Sequence, residues 1–163
     1  MSPEGLDRRA LLLVPLCLIA CGFEPAYAPG GSGDRLRDRV TLATPETPDG
    51  FRLRAQLEDR LGRSDAGSLA LRAEIAVDTI PAAVTPDGAI TRYDLRGQAP
   101  WRLSGPDGAM VAEGIATGFT GYSATGTAVA TRAAEEDARD RLMTLLADEI
   151  VARLLLLPLE ALS

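Results

Sequence analysis

The chain has 163 residues, of which 46% are hydrophobic and 25% charged, values typical of a folded protein and atypical of a disordered one. Basic residues number 17 and acidic residues 23, which gives a net charge of −6 and makes nucleic acid a poor candidate ligand. The chain has no histidine, which excludes Ser-His-Asp and Cys-His catalysis and metal sites built on imidazole.

The first twenty residues have the pattern of a bacterial signal peptide. A short positive region precedes an unbroken apolar run over residues 10–20, which is too short to span a bilayer as a helix, since that takes about 20 residues. The run ends in the sequence LIAC at residues 18–21, which resembles the bacterial lipobox. We therefore predict that residues 1–20 are a signal peptide that is removed, and that the Cys21 thiol becomes a thioether to diacylglycerol.

Cysteine usage fits a lipid-anchored protein. Of the two cysteines, Cys17 lies in the segment predicted to be removed and Cys21 would be acylated, so the mature chain would hold no thiol or disulfide. Gly22 follows, where Asp would resemble an inner-membrane retention signal. We expect an anchor in the outer membrane, with the domain facing the periplasm. The residues fit export by the Sec or the twin-arginine route, and a diacyl or a triacyl anchor.

The start of the predicted mature chain resembles a known lipoprotein family. Cys21, Gly22, Phe23, Pro25 and Tyr27 match the pattern Cys-Gly-Phe-x-Pro-x-Tyr with which the LptE family of lipopolysaccharide (LPS) assembly lipoproteins commonly begins. The resemblance implies a non-enzymatic protein that lodges in or against the outer-membrane β-barrel LptD and binds LPS. The alternative, with the same anchor, is an auxiliary lipoprotein of a periplasmic ABC-type transport or envelope-maintenance system.

Behind this motif the composition predicts a linker and then one domain. Residues 28–34 are rich in Gly, Pro and Ser, which is typical of a flexible linker. We therefore predict a lipidated N-terminus and linker over residues 21–38 and a single domain over residues 39–163.

The predicted elements of this domain begin with a short strand at residues 40–43. A helix follows from the capping pair Thr47-Pro48 to Gly62, with leucines every fourth residue on one side. Alternating apolar and polar residues then predict a strand over residues 69–78, and residues 81–88 are predicted to form a loop.

Two further strands and a long helix complete the predicted order β-α-β-β-β-α. The strand over residues 89–103 contains Gly97 and Pro100, which predict a bulge or an edge position. The next strand, over residues 110–120, carries Val111, Ile115 and Phe119 on one face. A leucine stripe without Gly or Pro predicts a helix from Thr127 to Leu157.

Together these elements predict an α+β fold. The expected architecture is a two-layer sandwich, in which two helices cover one face of an about four-stranded, mainly antiparallel sheet and the other face is polar. This order fits what the LptE resemblance implies.

The third predicted strand carries the candidate ligand-binding residues. Its periodicity places Arg92, Arg96 and Arg102 on one polar face, with Arg92 and Arg96 about 13 Å apart. LPS carries phosphate or carboxylate groups, and the planar guanidinium suits phosphate, so we predict that these arginines contact LPS. In the alternative interpretation the face is merely solvated, and its arginines pair with Asp94 and Glu74.

Other residues predict no catalytic, cofactor or metal site. Arg72 on the second strand is a further cation that could join the arginines. The Gly-rich stretch at residues 29–33 is not followed by Lys, so it is not a phosphate-binding loop. Acidic residues 135–137 could hold a divalent cation, but a solvated helix face is the favoured interpretation. We expect a protein that is not an enzyme.

Overall fold

The computed structural model describes residues 31–162. The predicted signal peptide, Cys21 and the motif residues Gly22, Phe23, Pro25 and Tyr27 lie outside the described residues. In chain order the elements are α1 (Ser32–Leu36), β1 (Val40–Ala43), α2 (Pro48–Leu61), β2 (Leu69–Ala73), β3 (Ala76–Val84), β4 (Ile90–Ser104), β5 (Met110–Ser123), α3 (Ala128–Leu155) and a 3-10 helix (Leu159–Leu162). Among residues 31–162, no helix is both long and apolar enough to cross a bilayer.

The predicted α+β sandwich is confirmed, with α2 and α3 on one face of a mixed sheet. β1 runs parallel to β2, and every other strand pair is antiparallel. β2 and β3 pair with successive parts of one edge of β4, while β5 pairs along the opposite edge. The five strands therefore occupy four positions in the sheet, in agreement with the predicted number.

The break between β2 and β3 explains the proline in the central strand β4. Ala73 pairs with Trp101 and Ala76 with Gln98, so Pro100 lies opposite the two residues that separate β2 from β3. The Glu74 N–H still donates to the Pro100 carbonyl at 2.9 Å. Since the N–H and C=O of one strand residue point to the same edge, the N–H that proline lacks would have pointed at this break. The sheet therefore accommodates Pro100 in a central strand, without the edge position or the bulge that the sequence predicts.

Helix α2 begins and ends at the predicted residues. The Thr47 hydroxyl accepts from the Gly50 N–H at 3.1 Å, and Pro48 occupies the first turn, where a missing N–H costs nothing. Gly62 follows the last residue with a φ of 81°, a conformation that favours glycine. The predicted leucine stripe, Leu53, Leu57 and Leu61, is buried.

Helix α3 supplies the other half of the helical layer. It buries the stripe of apolar residues from Ala138 to Leu154 against β4 and β5, whereas Leu145, which the prediction also placed in the stripe, is exposed. Ion pairs join it to α2: Asp49 to Arg139 at 2.8 Å, and Arg60 to Asp148 at 2.6 Å. A residue near the start of α2 pairs with one early in α3, and a residue near the end of α2 pairs with one later in α3. The two helices therefore run parallel to each other.

The face of β5 that meets α3 is built from small residues. Even-numbered positions, including Gly114, Ala116 and Gly118, point toward the helix layer; a Cβ added at Gly118 would lie 3.0 Å from Leu142 Cδ1. Ile115 and Phe119 share the other face, as predicted, whereas Val111, which was predicted to join them, packs against the core next to a register shift. The face that carries Ile115 and Phe119 is the one opposite the helices, so these two residues do not belong to the core, whereas Ala116 and Tyr122 on the inner face do.

Three segments differ from the sequence prediction. The single strand predicted over residues 69–78 is divided into β2 and β3 at residues 74 and 75. The predicted loop at residues 81–88 begins later, because β3 continues to Val84 with irregular register after Pro81. Proline is tolerated there because, within the described residues, β3 pairs with β4 along one edge and with no strand along its other edge. The predicted linker range contains α1, and Leu36 of α1 is fully buried. The packed domain therefore includes residues upstream of 39.

Candidate functional site

The predicted arginines lie on the sheet face that α2 and α3 leave uncovered. Along β4, odd-numbered residues from 95 to 103 are buried, and even-numbered residues from 96 to 102 are exposed. Arg92, Arg96 and Arg102 therefore share one exposed face, as strand periodicity predicts. We call this surface the outer face; it comprises these arginines, Arg72 of β2, and the odd-numbered side chains of β5 from 113 to 123.

Two of the predicted arginines form exposed ion pairs. Arg92 Nε lies 3.3 Å from Asp94 Oδ1, and Arg102 Nη2 lies 3.1 Å from Glu113 Oε2. The interpretation of a merely solvated face predicted pairs with Asp94 and with Glu74. The pair of Arg92 with Asp94 is present, whereas within residues 31–162 no arginine side chain bonds the Glu74 carboxylate. Exposed pairs of this kind contribute at most about 1 kcal/mol, so an anionic ligand could displace them at little cost.

In the part of the chain that the structure describes, the other two arginines of the outer face have no acidic partner. Within residues 31–162, neither Arg72 nor Arg96 makes a side-chain hydrogen bond or an ion pair. Arg96 lies between Asp78 of β3 and Phe119 of β5 in the strand register. Arg72 lies directly opposite Arg102, and like charges in that position destabilise a sheet. An anion bound between Arg72 and Arg102 would relieve this repulsion.

The strand register divides the arginines into two groups. Arg102 is grouped with Arg72, at the end of β4 that pairs with β2. Arg92 and Arg96 lie at the end that pairs with β3. Arg96 and Arg102 are six steps apart along the extended strand, a distance of about 20 Å. The three predicted residues share a face but do not form one cluster.

Apolar side chains lie beside both groups, and the sequence prediction gave them no role. Ile115 is 52% exposed and Phe119 is 53% exposed. Phe119 is the register partner of Arg96. A signal was present in the sequence: glycine and alanine at 114, 116 and 118 alternate with larger residues, which indicates that a helix packs on the small side.

Two shallow grooves run along this surface. One, of ≈ 470 Å³, is lined by Arg72, Arg102, Glu113 and Ile115, among others. The second, of ≈ 370 Å³, has Arg96, Gln98, Thr117 and Phe119 in its lining. Each groove therefore combines at least one guanidinium group with apolar surface, the combination that suits a ligand with both anionic groups and hydrocarbon chains.

The acidic residues 135–137 of α3 each form a salt bridge with an arginine. Glu135 pairs with Arg139 at 3.1 Å, Glu136 pairs with Arg132 at 3.1 Å, and Asp137 pairs with Arg141. Burial alone would lower the pKa of Arg139, but the hydrogen bond that Arg139 donates to the Glu135 carboxylate and the charge of Asp49 raise this pKa. No group of three potential metal ligands occurs within residues 31–162. These contacts are those of a solvated helix face.

Comparison with known proteins identifies the family. The family model described as "LptE: Lipopolysaccharide-assembly" matches residues 38–154. The chain belongs to the LptE family. A comparison with curated proteins gives no match. The matched range runs from before β1 to the last turn of α3, so both the sheet and the helix layer are LptE-family features.

Solved structures of lipoproteins share this fold. A lipoprotein from Caulobacter crescentus CB15 is 26% identical, with a TM-score of 0.62 over 76% of this chain and 92% of that one. Rare lipoprotein B from Shewanella oneidensis is 18% identical, with a TM-score of 0.53 over 70% and 91%. A minor lipoprotein from Acinetobacter baumannii is 16% identical, with a TM-score of 0.55 over 72% and 90%. At such identities the last two are evidence for the fold alone.

Proposed function

We propose that this LptE-family protein is an outer-membrane lipoprotein that partners the LptD β-barrel in assembling LPS, as a non-enzymatic plug or assembly factor. The family match over residues 38–154 supports a role in LPS assembly. The motif from Cys21 to Tyr27 supports the same family from residues upstream of that match.

The observation that carries the LPS part of the proposal is the composition of the outer face. LPS is an amphiphile with anionic groups beside acyl chains. Arg96 next to Phe119, and Arg72 with Arg102 next to Ile115, offer a cation and an apolar surface side by side. Arginine donates two parallel hydrogen bonds to a phosphate, while the apolar side chains cover hydrocarbon.

The anchor is tested by removing the thiol that would carry it. Cys21→Ser should abolish labelling of the protein with a clickable fatty acid, because the hydroxyl does not replace the thiol in thioether formation. The protein should then leave the outer-membrane fraction, since a stable anchor needs the acyl chains. A Cys21→Ser protein that still labels and still fractionates with the outer membrane would contradict the lipid anchor.

The ligand contact is tested by reversing two charges of the outer face. Arg92→Glu combined with Arg96→Glu should weaken LPS binding by the purified protein about tenfold or more, the equivalent of roughly 1.4 kcal/mol. Added salt should weaken binding by the unmodified protein in the same direction, since exposed charges are screened. The complex with the barrel should survive, because a contact spread over a large surface does not depend on two charges.

A matched control reverses two arginines on the opposite layer. Arg132 and Arg153 of α3 are exposed and pair with Glu136 and Glu149 on their own helix, so replacing both with Glu changes the net charge equally. This control should bind LPS as the unmodified protein does. Equal LPS binding by both double variants would mean that the outer arginines are only a solvated face.

A further inference from the structure

We propose that the smaller groove of the outer face binds a sugar that carries a carboxylate. We call it the Arg96 groove; the side chains that line it are those of Arg96, Gln98, Thr117 and Phe119. This inference deepens the proposed function and rests on it, because it names an acidic sugar as the part of LPS that this groove contacts.

Two neighbouring cross-strand pairs bring these four side chains together. Arg96 is the register partner of Phe119, and Gln98 is the register partner of Thr117. Alternate residues of a strand share a face, so the two pairs are direct neighbours on the outer face. The patch therefore measures about 7 Å along the strands and about 5 Å across them, which is close to the size of one sugar ring.

The polar groups of the Arg96 groove are free to bind a ligand. Arg96, Gln98 and Thr117 are exposed, and in the described part of the chain none of their side chains makes a hydrogen bond or an ion pair. Asp78 is the other register partner of Arg96, yet the two side chains form no ion pair. A guanidinium group donates two parallel hydrogen bonds to a carboxylate, while an amide and a hydroxyl both donate to and accept from sugar hydroxyls.

Phe119 gives the groove an aromatic surface. Its side chain is 53% exposed, and it lies beside Arg96 in the strand register. The face of an aromatic ring is partly negative, so it attracts the C–H bonds of a sugar ring, which the neighbouring oxygens make partly positive. The groove thus offers one group for each part of an acidic sugar, namely its carboxylate, its hydroxyls and its C–H face.

Other anionic or apolar ligands suit the Arg96 groove less well. An acyl chain would cover the Gln98 amide and the Thr117 hydroxyl without giving them hydrogen-bond partners, which opposes binding. A phosphate alone would leave Phe119 without a contact. The larger groove is lined by Glu74 and Glu113 as well as by arginines, whereas the described lining of the Arg96 groove holds no carboxylate.

Ligand-observed NMR on the purified full chain in detergent tests the chemistry, with methyl glucuronide as the acidic sugar and methyl glucoside as its neutral counterpart. Methyl glucuronide should bind about tenfold more tightly than methyl glucoside, because only its carboxylate pairs with the guanidinium of Arg96. Arg96→Gln should abolish this preference. Phe119→Leu should weaken the binding of both sugars about threefold or more, because leucine is apolar but has no ring.

The matched control is the same substitution on the opposite layer. Phe51 of α2 is 60% exposed, and Phe51→Leu should bind both sugars as the unmodified protein does. Equal binding of the two sugars by the unmodified protein, or binding of neither, would overturn the proposal. Displacement of methyl glucuronide by octanoate or by inorganic phosphate as effectively as by glucuronate would also overturn it, because the groove would then take an acyl chain or any anion.

LPS itself separates this inference from the proposed function. LPS should displace methyl glucuronide from the unmodified protein, and Phe119→Leu should bind LPS more weakly than Phe51→Leu does. LPS that binds without displacing methyl glucuronide would overturn the acidic-sugar site and leave the proposed function standing. An unmodified protein that binds no LPS would overturn both.

Discussion

Glycines on β4 and β5 decide which face of the sheet receives helix α3. A Cβ added at Gly97 or Gly118 would lie 3.0 Å from a methyl carbon of Leu142, and at Gly118 also 3.4 Å from Leu146 Cδ2. Both leucines are fully buried, so they have little room to move. Close approach of the helix, and not backbone freedom, is the reason for glycine at these positions.

Gly118→Val should therefore destabilise the protein by about 1–3 kcal/mol, because overpacking forces side chains out of their preferred rotamers. Denaturant unfolding measures this as a lower midpoint at an unchanged slope. Thr117→Val, on the outward side of the same strand, is the control and should stay within about 0.5 kcal/mol of the parent. Equal midpoints for the two variants would mean that α3 does not press on β5.

At the scale of single residues, the sequence predicts only part of the candidate site. Strand periodicity in the sequence is enough to put Arg92, Arg96 and Arg102 on one face. It does not reveal that Arg102 faces Arg72, because that contact depends on the register between β2 and β4, which residues far apart in the chain determine together. The exposure of Ile115 and Phe119 likewise depends on where α3 packs.

At the level of elements, helices were predicted more accurately than strand ends. In α2 and α3 the signals are local: a threonine that caps the first turn, a repeat of apolar residues, and a glycine or proline beyond the end. These interactions form within one or two turns, so the sequence alone displays them.

Strand boundaries depended on neighbours that no local pattern shows. Pro81 predicted a loop, yet it lies in β3 because that strand borders only β4. Pro100 predicted an edge, yet it lies in a central strand because its missing N–H faces the break between β2 and β3. Helix α1 was missed because it begins inside the stretch rich in Gly, Pro and Ser, while the burial of Leu36 holds it against the domain.

At the level of the whole molecule, the two faces of the sheet have different roles. The inner face and the helices form the core, which buries 24 hydrophobic residues and, within residues 31–162, no charged or polar residue. The outer face exposes arginines together with Ile115 and Phe119. An amphipathic sheet face of this kind fits the LPS contact that we propose.

The central claim is that this LptE-family protein works with an outer-membrane barrel. Affinity purification of the tagged full chain from detergent-solubilised envelopes tests it most directly. We predict that LptD is recovered in stoichiometric amount, and that it is recovered equally with the Arg92→Glu, Arg96→Glu variant. Recovery of an ABC-type complex, or of no barrel protein, would contradict the claim and favour an auxiliary lipoprotein of a periplasmic transport or envelope-maintenance system.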